Sequence, residues 1–138
     1  MNVVNHVFPS PEQFQAFFGG AEDGPFVMVN LLKFREKAEY EDGSEPELSG
    51  RDAYNRYGVE VAKLILALGG AIRYSGPVTG LMIGEVEEMW DAVALAEYPS
   101  LASFQKMALS SEMHAIEHHR KAGLAGQLNI RTKPGPGF

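Results

Sequence analysis

The run Pro25-Phe-Val-Met-Val-Asn-Leu-Leu-Lys-Phe34 is apolar on both of its alternations. In an extended chain Phe26, Met28 and Leu32 leave one face, and Val27, Val29 and Leu31 leave the other. Such a pattern suits a central strand that needs cover on both sides. The rest of the fold has to supply that cover. With 138 residues the chain has room for one domain, and at this length roughly two thirds of the unfolded surface is buried on folding. A core forms without staples. Cys is absent, which excludes disulfides, thiolate nucleophiles and cysteine zinc sites.

The remaining elements follow from local signals. Ser10-Pro11-Glu12-Gln13 offers an N-cap, a proline at the first helical position and a glutamine placed to close a capping box. Phe14, Phe17 and Phe18 then fall on one stripe that Gly19-Gly20 ends, giving a short N-terminal covering helix. Residues 35–49 crowd acids around Asp42-Gly43-Ser44 and read as a solvated loop lacking EF-hand spacing. A second helix starts at Ser49-Gly50-Arg51-Asp52 and carries Ala53, Tyr57, Val61, Leu64, Ile65 and Leu68 to Gly69-Gly70. Ala71 to Ile83 is strand-like but broken at Gly76-Pro77 and Gly80, as at a bulged sheet edge. Trp90 to Tyr98 reads as a further strand. Ser100 caps a helix that breaks at Ser110-Ser111 and resumes from Glu112 to Lys121, with Gly123 and Gly126 closing it. A final strand spans Gln127 to Thr132, and Lys133-Pro-Gly-Pro-Gly-Phe138 reads as an extended tail.

After the leading helix, the order strand, helix, strand, strand, helix, strand is the split βαβ arrangement of an α+β, ferredoxin-like βαββαβ protomer. The expected organisation is a single domain over 1–138, with its core at about 25–133, a lead-in over 1–24 and a tail over 134–138. Right-handed crossovers put both main helices on one sheet face. The other face is then bare, and the second apolar set of the first strand is left as a contiguous patch. A homodimer packing sheet against sheet resolves this.

The strings Asn30-Leu-Leu-Lys-Phe-Arg35, Ser49-Gly50-Arg51, Tyr54, Tyr57-Gly58, Gly69-Gly70, Trp90-Asp91 and Glu97-Tyr98-Pro99-Ser100 carry a resemblance. Over about residues 25–133 the chain resembles domain-of-unknown-function family thirteen-thirty, in the dimeric α/β-barrel superfamily. The resemblance implies a ferredoxin-like protomer and a dimer whose two sheets form a barrel. It implies no reaction, because that superfamily spans cofactor-free monooxygenases, isomerases, haem enzymes and pure ligand-binding domains.

Candidate site residues are those whose polarity is out of place. Asn30 and Lys33 interrupt the apolar strand on opposite faces, so each needs a partner or a wet cavity. Lys33 can snorkel from the strand end. Glu97 follows Val93 and Leu95 on one alternation, where desolvation would suit a general base, although pairing with Arg73 or Arg120 fits equally. Glu97 and Asn30 are the catalytic candidates. Tyr54, Tyr57 and Tyr74, with Trp90, could line an aromatic cavity, and Tyr57 lies on a buried stripe. Lys33, His114 and Arg120 complete the ligand-binding candidates.

His114 and His118 share a helix face beside Glu117 and His119, but a third ligand and any HExxH pattern are missing, so no metal is expected. No GxGxxG, Walker loop or GxSxG occurs, so no cofactor is expected. Eighteen acids against twelve bases give net −6, without the basic footprint of a nucleic-acid partner. The N-terminus lacks a signal-peptide pattern and no apolar run reaches membrane-span length, so no membrane partner and a cytoplasmic location are expected. Two functions fit: a cofactor-independent monooxygenase or isomerase acting on a small organic compound, or a non-catalytic ligand-binding or interaction domain working as a homodimer.

Overall fold

A computed structural model describes residues 2–20 and 24–137; of the segments named above, Met1 and residues 21–23 of the lead-in and Phe138 of the tail lie outside the described residues. Helix α1 (Pro11–Phe18) begins with the full capping box: Gln13 N donates to Ser10 Oγ at 3.1 Å, and Ser10 N to Gln13 Oε1 at 3.2 Å. Strand β1 (Phe26–Phe34) leads through a loop to α2 (Gly50–Ala67), and the hairpin strands are β2 (Ala71–Pro77) and β3 (Ala92–Tyr98). Helices α3 (Leu101–Ala108) and α4 (Ser111–Gly123) follow, then β4 (Leu124–Thr132).

The strands form a four-stranded sheet in the order β2-β3-β1-β4, with every neighbouring pair antiparallel. Strands β1 and β2 therefore run parallel with β3 between them, the ferredoxin-like arrangement. Strand β2 stops at Pro77 and lies at the edge, with a register shift between Ile72 and Tyr74. Strand β4 starts earlier than the glycines suggest. Leu124 N caps α4 by donating to Arg120 O, its own φ and ψ are already extended, and Gly126 pairs with Lys33 inside the ladder.

The two alternations of β1 meet different surroundings. Phe26, Met28 and Leu32 are 1–3% exposed beneath the helices, where they pack with Val61, Ile65, Tyr98, Met107 and Met113 and with Leu124. Val27, Val29 and Leu31 stand opposite Glu97, Leu95 and Val93 on the other face, and opposite Thr132, Ile130 and Leu128. No helix of this chain covers that face among the described residues, and Ile130 and Tyr74 are exposed there.

The acidic segment 35–49 is less free than its composition implies. Ala38 is buried with Ala53 and Ala122, and the segment is tied down by Ala38 N to Leu48 O at 2.8 Å, Glu39 N to Ala122 O at 3.0 Å and Arg35 N to Gly123 O at 2.8 Å. These anchors depend on α2 and α4 crossing closely. A Cβ on Gly123 would lie 2.5 Å from Gly50 O and 2.8 Å from Tyr54 N, so the crossing admits no side chain there.

Candidate functional site

A cavity of about 730 Å³ opens between the helix-bearing face of the sheet and the helices. Its roof is the N-terminal segment and α1. The segment is held as a strap: Gln127 N donates to His6 O at 2.8 Å, and the Arg120 guanidinium donates to Val7 O. Phe17 and Phe18 pack on Phe104 of α3 with centroids 5.8 and 5.5 Å apart, which docks α1. Phe14, Phe17, Phe104, Met28 and Met113 give the cavity apolar walls.

One end of the cavity is polar, and its groups satisfy one another. Arg120, only 13% exposed, donates to Glu117 Oε1 at 3.1 Å and to Gln127 Oε1 at 2.7 Å. Gln127 Nε2 donates to Asn30 Oδ1 at 2.7 Å, and Asn30 Nδ2 donates to Ala94 O at 3.3 Å. Burying amides and a guanidinium is tolerable because this chain of bonds runs from α4 across β4 and β1 to β3. The Arg120–Glu117 pair leaves that end without net charge.

Tyr57 lines the cavity from α2, and its hydroxyl meets, among the described residues, only the Met113 thioether at 3.9 Å, a weak acceptor. Burial raises the Tyr57 phenol above its ordinary range, and the neighbouring Tyr54 adds to the shift; the hydroxyl is a neutral donor at any working pH. The Tyr54 ring is tilted 49° against that of Tyr57 with centroids 5.5 Å apart and packs against Phe34 at 5.4 Å, and its phenol is pushed up by burial to about 12.

The structure brings Tyr57 and Arg120 to the cavity and Asn30 to the polar chain behind it. The other sequence candidates sit elsewhere. Glu97 accepts from Arg73 on the uncovered face, as Nε to Oε2 at 3.1 Å and through a second guanidinium bond. Tyr74 is exposed on that same face. Lys33 Nζ reaches Met89 O at 3.1 Å and Asp91 Oδ1 at 3.4 Å, fastening the loop between β2 and β3. His114 points from an exposed turn of α4.

A second cavity of about 360 Å³ lies on the far side of α4 between Tyr40, His118 and Lys121. The hydroxyl of Tyr40, which lines it, is 2.7 Å from Nδ1 of His119. Burial lowers the His119 pKa first, and the charges of His118 and Arg56 lower it further. Among the described residues no group of three or more His, Asp or Glu could hold a metal ion, and no helix is long and apolar enough to cross a membrane.

Gln127, Met28, Met113, Phe104 and the strap were not singled out from sequence. Gln127 carried one signal, an amide on the alternation of β4 opposite Leu128 and Ile130. The strap carried none, since its partners lie more than a hundred residues away in sequence.

No protein-family model matches the chain, and no curated protein does. Among solved structures, a protein of unknown function from Rhodopseudomonas palustris, RPA0582, is 33% identical, with 97% of this chain and 100% of that chain covered and a TM-score of 0.87. The methylated form of RPA0582 matches at 35% identity over 99% and 100% of the two chains, with a TM-score of 0.88. A DABB-family protein with a ferredoxin-like fold from Mesorhizobium loti is 12% identical over 80% of this chain and 97% of that one, with a TM-score of 0.47, too slight a likeness to argue from.

Proposed function

The chain belongs to the same family as RPA0582 of Rhodopseudomonas palustris, and from that premise we propose that it is a small-molecule-binding protein acting as a homodimer. The observation that carries the reading is the cavity of about 730 Å³, whose walls are aromatic and thioether groups and whose polar end is internally neutralised. That size, apolar lining and small set of placed polar groups are what small-molecule sites have in common. Binding is favoured over acid–base catalysis. Glu97 engages Arg73 on the opposite face, and the Asn30 amide is spent on Gln127 and Ala94. The motif strings of β1, α2 and β3 support placing this family within domain-of-unknown-function family thirteen-thirty.

The dimer reading rests on the uncovered face. Val27, Val29, Leu31, Val93, Leu95 and Leu128 form one apolar surface there, and a second copy placed face to face would remove it from water. A protein of 138 residues with net charge −6 suits a cytoplasmic setting.

The cavity is tested with methyl-labelled methionine and a panel of small aromatic compounds, read by NMR. Binding in the cavity moves the methyls of Met28 and Met113, which line it, and leaves that of Met82, 97% exposed in the loop between β2 and β3. Compounds that move only Met82, or none that move Met28 and Met113, would reject the site.

A further inference from the structure

We propose that the cavity selects an uncharged, ring-bearing molecule with a carbonyl-type acceptor, which takes its hydrogen bond from the Tyr57 hydroxyl. The inference rests on the cavity being the binding site and adds what that site admits. Three observations carry it.

The first is the unspent donor. Tyr57 reaches the cavity with a hydroxyl whose partner among the described residues is the thioether of Met113 at 3.9 Å. Thioether sulfur accepts weakly, so a carbonyl oxygen brought within ordinary range would be the better partner. Because the phenol stays protonated, it donates to the incoming oxygen and supplies no negative charge to attract a cation.

The second is that, among the described residues lining the polar end, the charged groups are already committed to one another. Arg120 is the cation at the polar end, and three of its five N–H donors are engaged, by Glu117, Gln127 and the Val7 carbonyl. A carboxylate would have to give up water to meet a guanidinium already shared among three oxygens, one of them a carboxylate. An ammonium would find Glu117 already paired with Arg120. At that end charged molecules lose on both counts; Arg131, whose guanidinium lies 5.7 and 5.1 Å over the Phe17 and Phe26 rings, is outside the cavity lining.

The third is the wall. Phe14, Phe17 and Phe104 with Met28 and Met113 supply aromatic rings and polarizable sulfur, which favour a flat ring system over a sugar or a nucleotide.

A matched set of probes on one ring system tests this: 2-acetylnaphthalene, 2-ethylnaphthalene and 2-naphthoate, titrated by fluorescence and mapped by the Met28 and Met113 methyls. The ketone should bind about fivefold more tightly than the hydrocarbon, the worth of one ordinary hydrogen bond, and the carboxylate most weakly. Tyr57→Phe, which keeps the ring contacts with Tyr54, should erase the ketone's advantage and leave the hydrocarbon's affinity unchanged. The wild-type protein alone suffices to refute the inference. Equal affinity for ketone and hydrocarbon, or tightest binding of the carboxylate, would overturn it while leaving the cavity as a site. A ketone preference that survives in Tyr57→Phe would overturn the role of the hydroxyl. If none of the three moves the Met28 and Met113 methyls, the inference and the binding reading fall together.

Discussion

Arg120 fastens the roof to the body of the domain, so replacing it with methionine should release the N-terminal strap without unfolding the sheet. Two of its acceptors, Val7 O and Gln127 Oε1, lose a bond from a charged donor, each contributing about 1.5 kcal/mol at the low end of the usual range. Glu117 is 31% exposed and recovers water, so its loss is under about 1 kcal/mol. The methionine keeps much of the apolar stem's packing. The strap should therefore open about 3 kcal/mol more readily, roughly a hundredfold in its opening equilibrium. Global stability should fall by less, because an opened strap gives the stranded acceptors access to water and caps the cost. Amide exchange separates the two. The Gln127 amide donates to His6 O, so its exchange reports strap opening, while the amides between β1 and β3 report global unfolding. Gln127 should exchange far faster in Arg120→Met with the β1–β3 amides little changed. If Gln127 exchange stays within threefold of wild type, Arg120 does not hold the strap.

In light scattering at micromolar concentration the protein should have about twice its 15.1 kDa chain mass, and Leu95→Lys on the uncovered face should return it to monomer; a wild-type monomer would refute the sheet-to-sheet pairing. In the monomeric Leu95→Lys background, Glu97→Gln should cost under about 1 kcal/mol in a denaturant melt, because the Arg73 and Glu97 side chains are 60% and 26% exposed in a single chain; a loss near 3 kcal/mol would mark a buried pair instead. His119, with its pKa lowered on folding, contributes stability that is complete above the ordinary histidine value of 6.5 and is lost as pH falls below it. The carboxyls of Glu41 and Glu45, lowered by Lys121 and Arg56, then lose theirs as pH falls through and below the ordinary 4.5. The denaturant midpoint should therefore drop from pH 7 to 5 in wild type and less in His119→Gln; a midpoint that rises over that interval would contradict the burial of His119.

What the sequence disclosed was local. The two alternations of β1, the capped start of α1 and the stripe of α2 each arise from neighbours a few residues apart, and these sufficed for the order of elements. The position of Glu97 was legible only in part. Its alternation with Val93 and Leu95 placed it on a face correctly, but which face the helices cover is decided by the crossovers, so a cavity and an open surface were indistinguishable. Asn30 needed a partner, yet that partner, Gln127, is 97 residues away and is reached only after the sheet has assembled. The anchoring of 35–49 escaped for the same reason, since its bonds run to Ala122 and Gly123 at the far end of α4. Burial of single small residues such as Ala38 leaves no periodic trace in an acidic run.

The crossing of α2 and α4 at Gly50 and Gly123 bears on how the family can diverge. The room for a side chain on Gly123 is occupied by the backbone of α2, that for one on Gly50 by the Arg35 backbone and the Gly123 carbonyl, and that carbonyl also receives the Arg35 amide that steers the chain out of β1. A substitution at either position would push the helices apart, shift the acidic segment and strain the exit from the central strand together. Among relatives the two sites should therefore behave as one inherited unit: both small, or both enlarged in company with a shorter or re-routed segment between β1 and α2. The mouth of the cavity, bounded by the separate strap and the β4 edge, is free to vary independently.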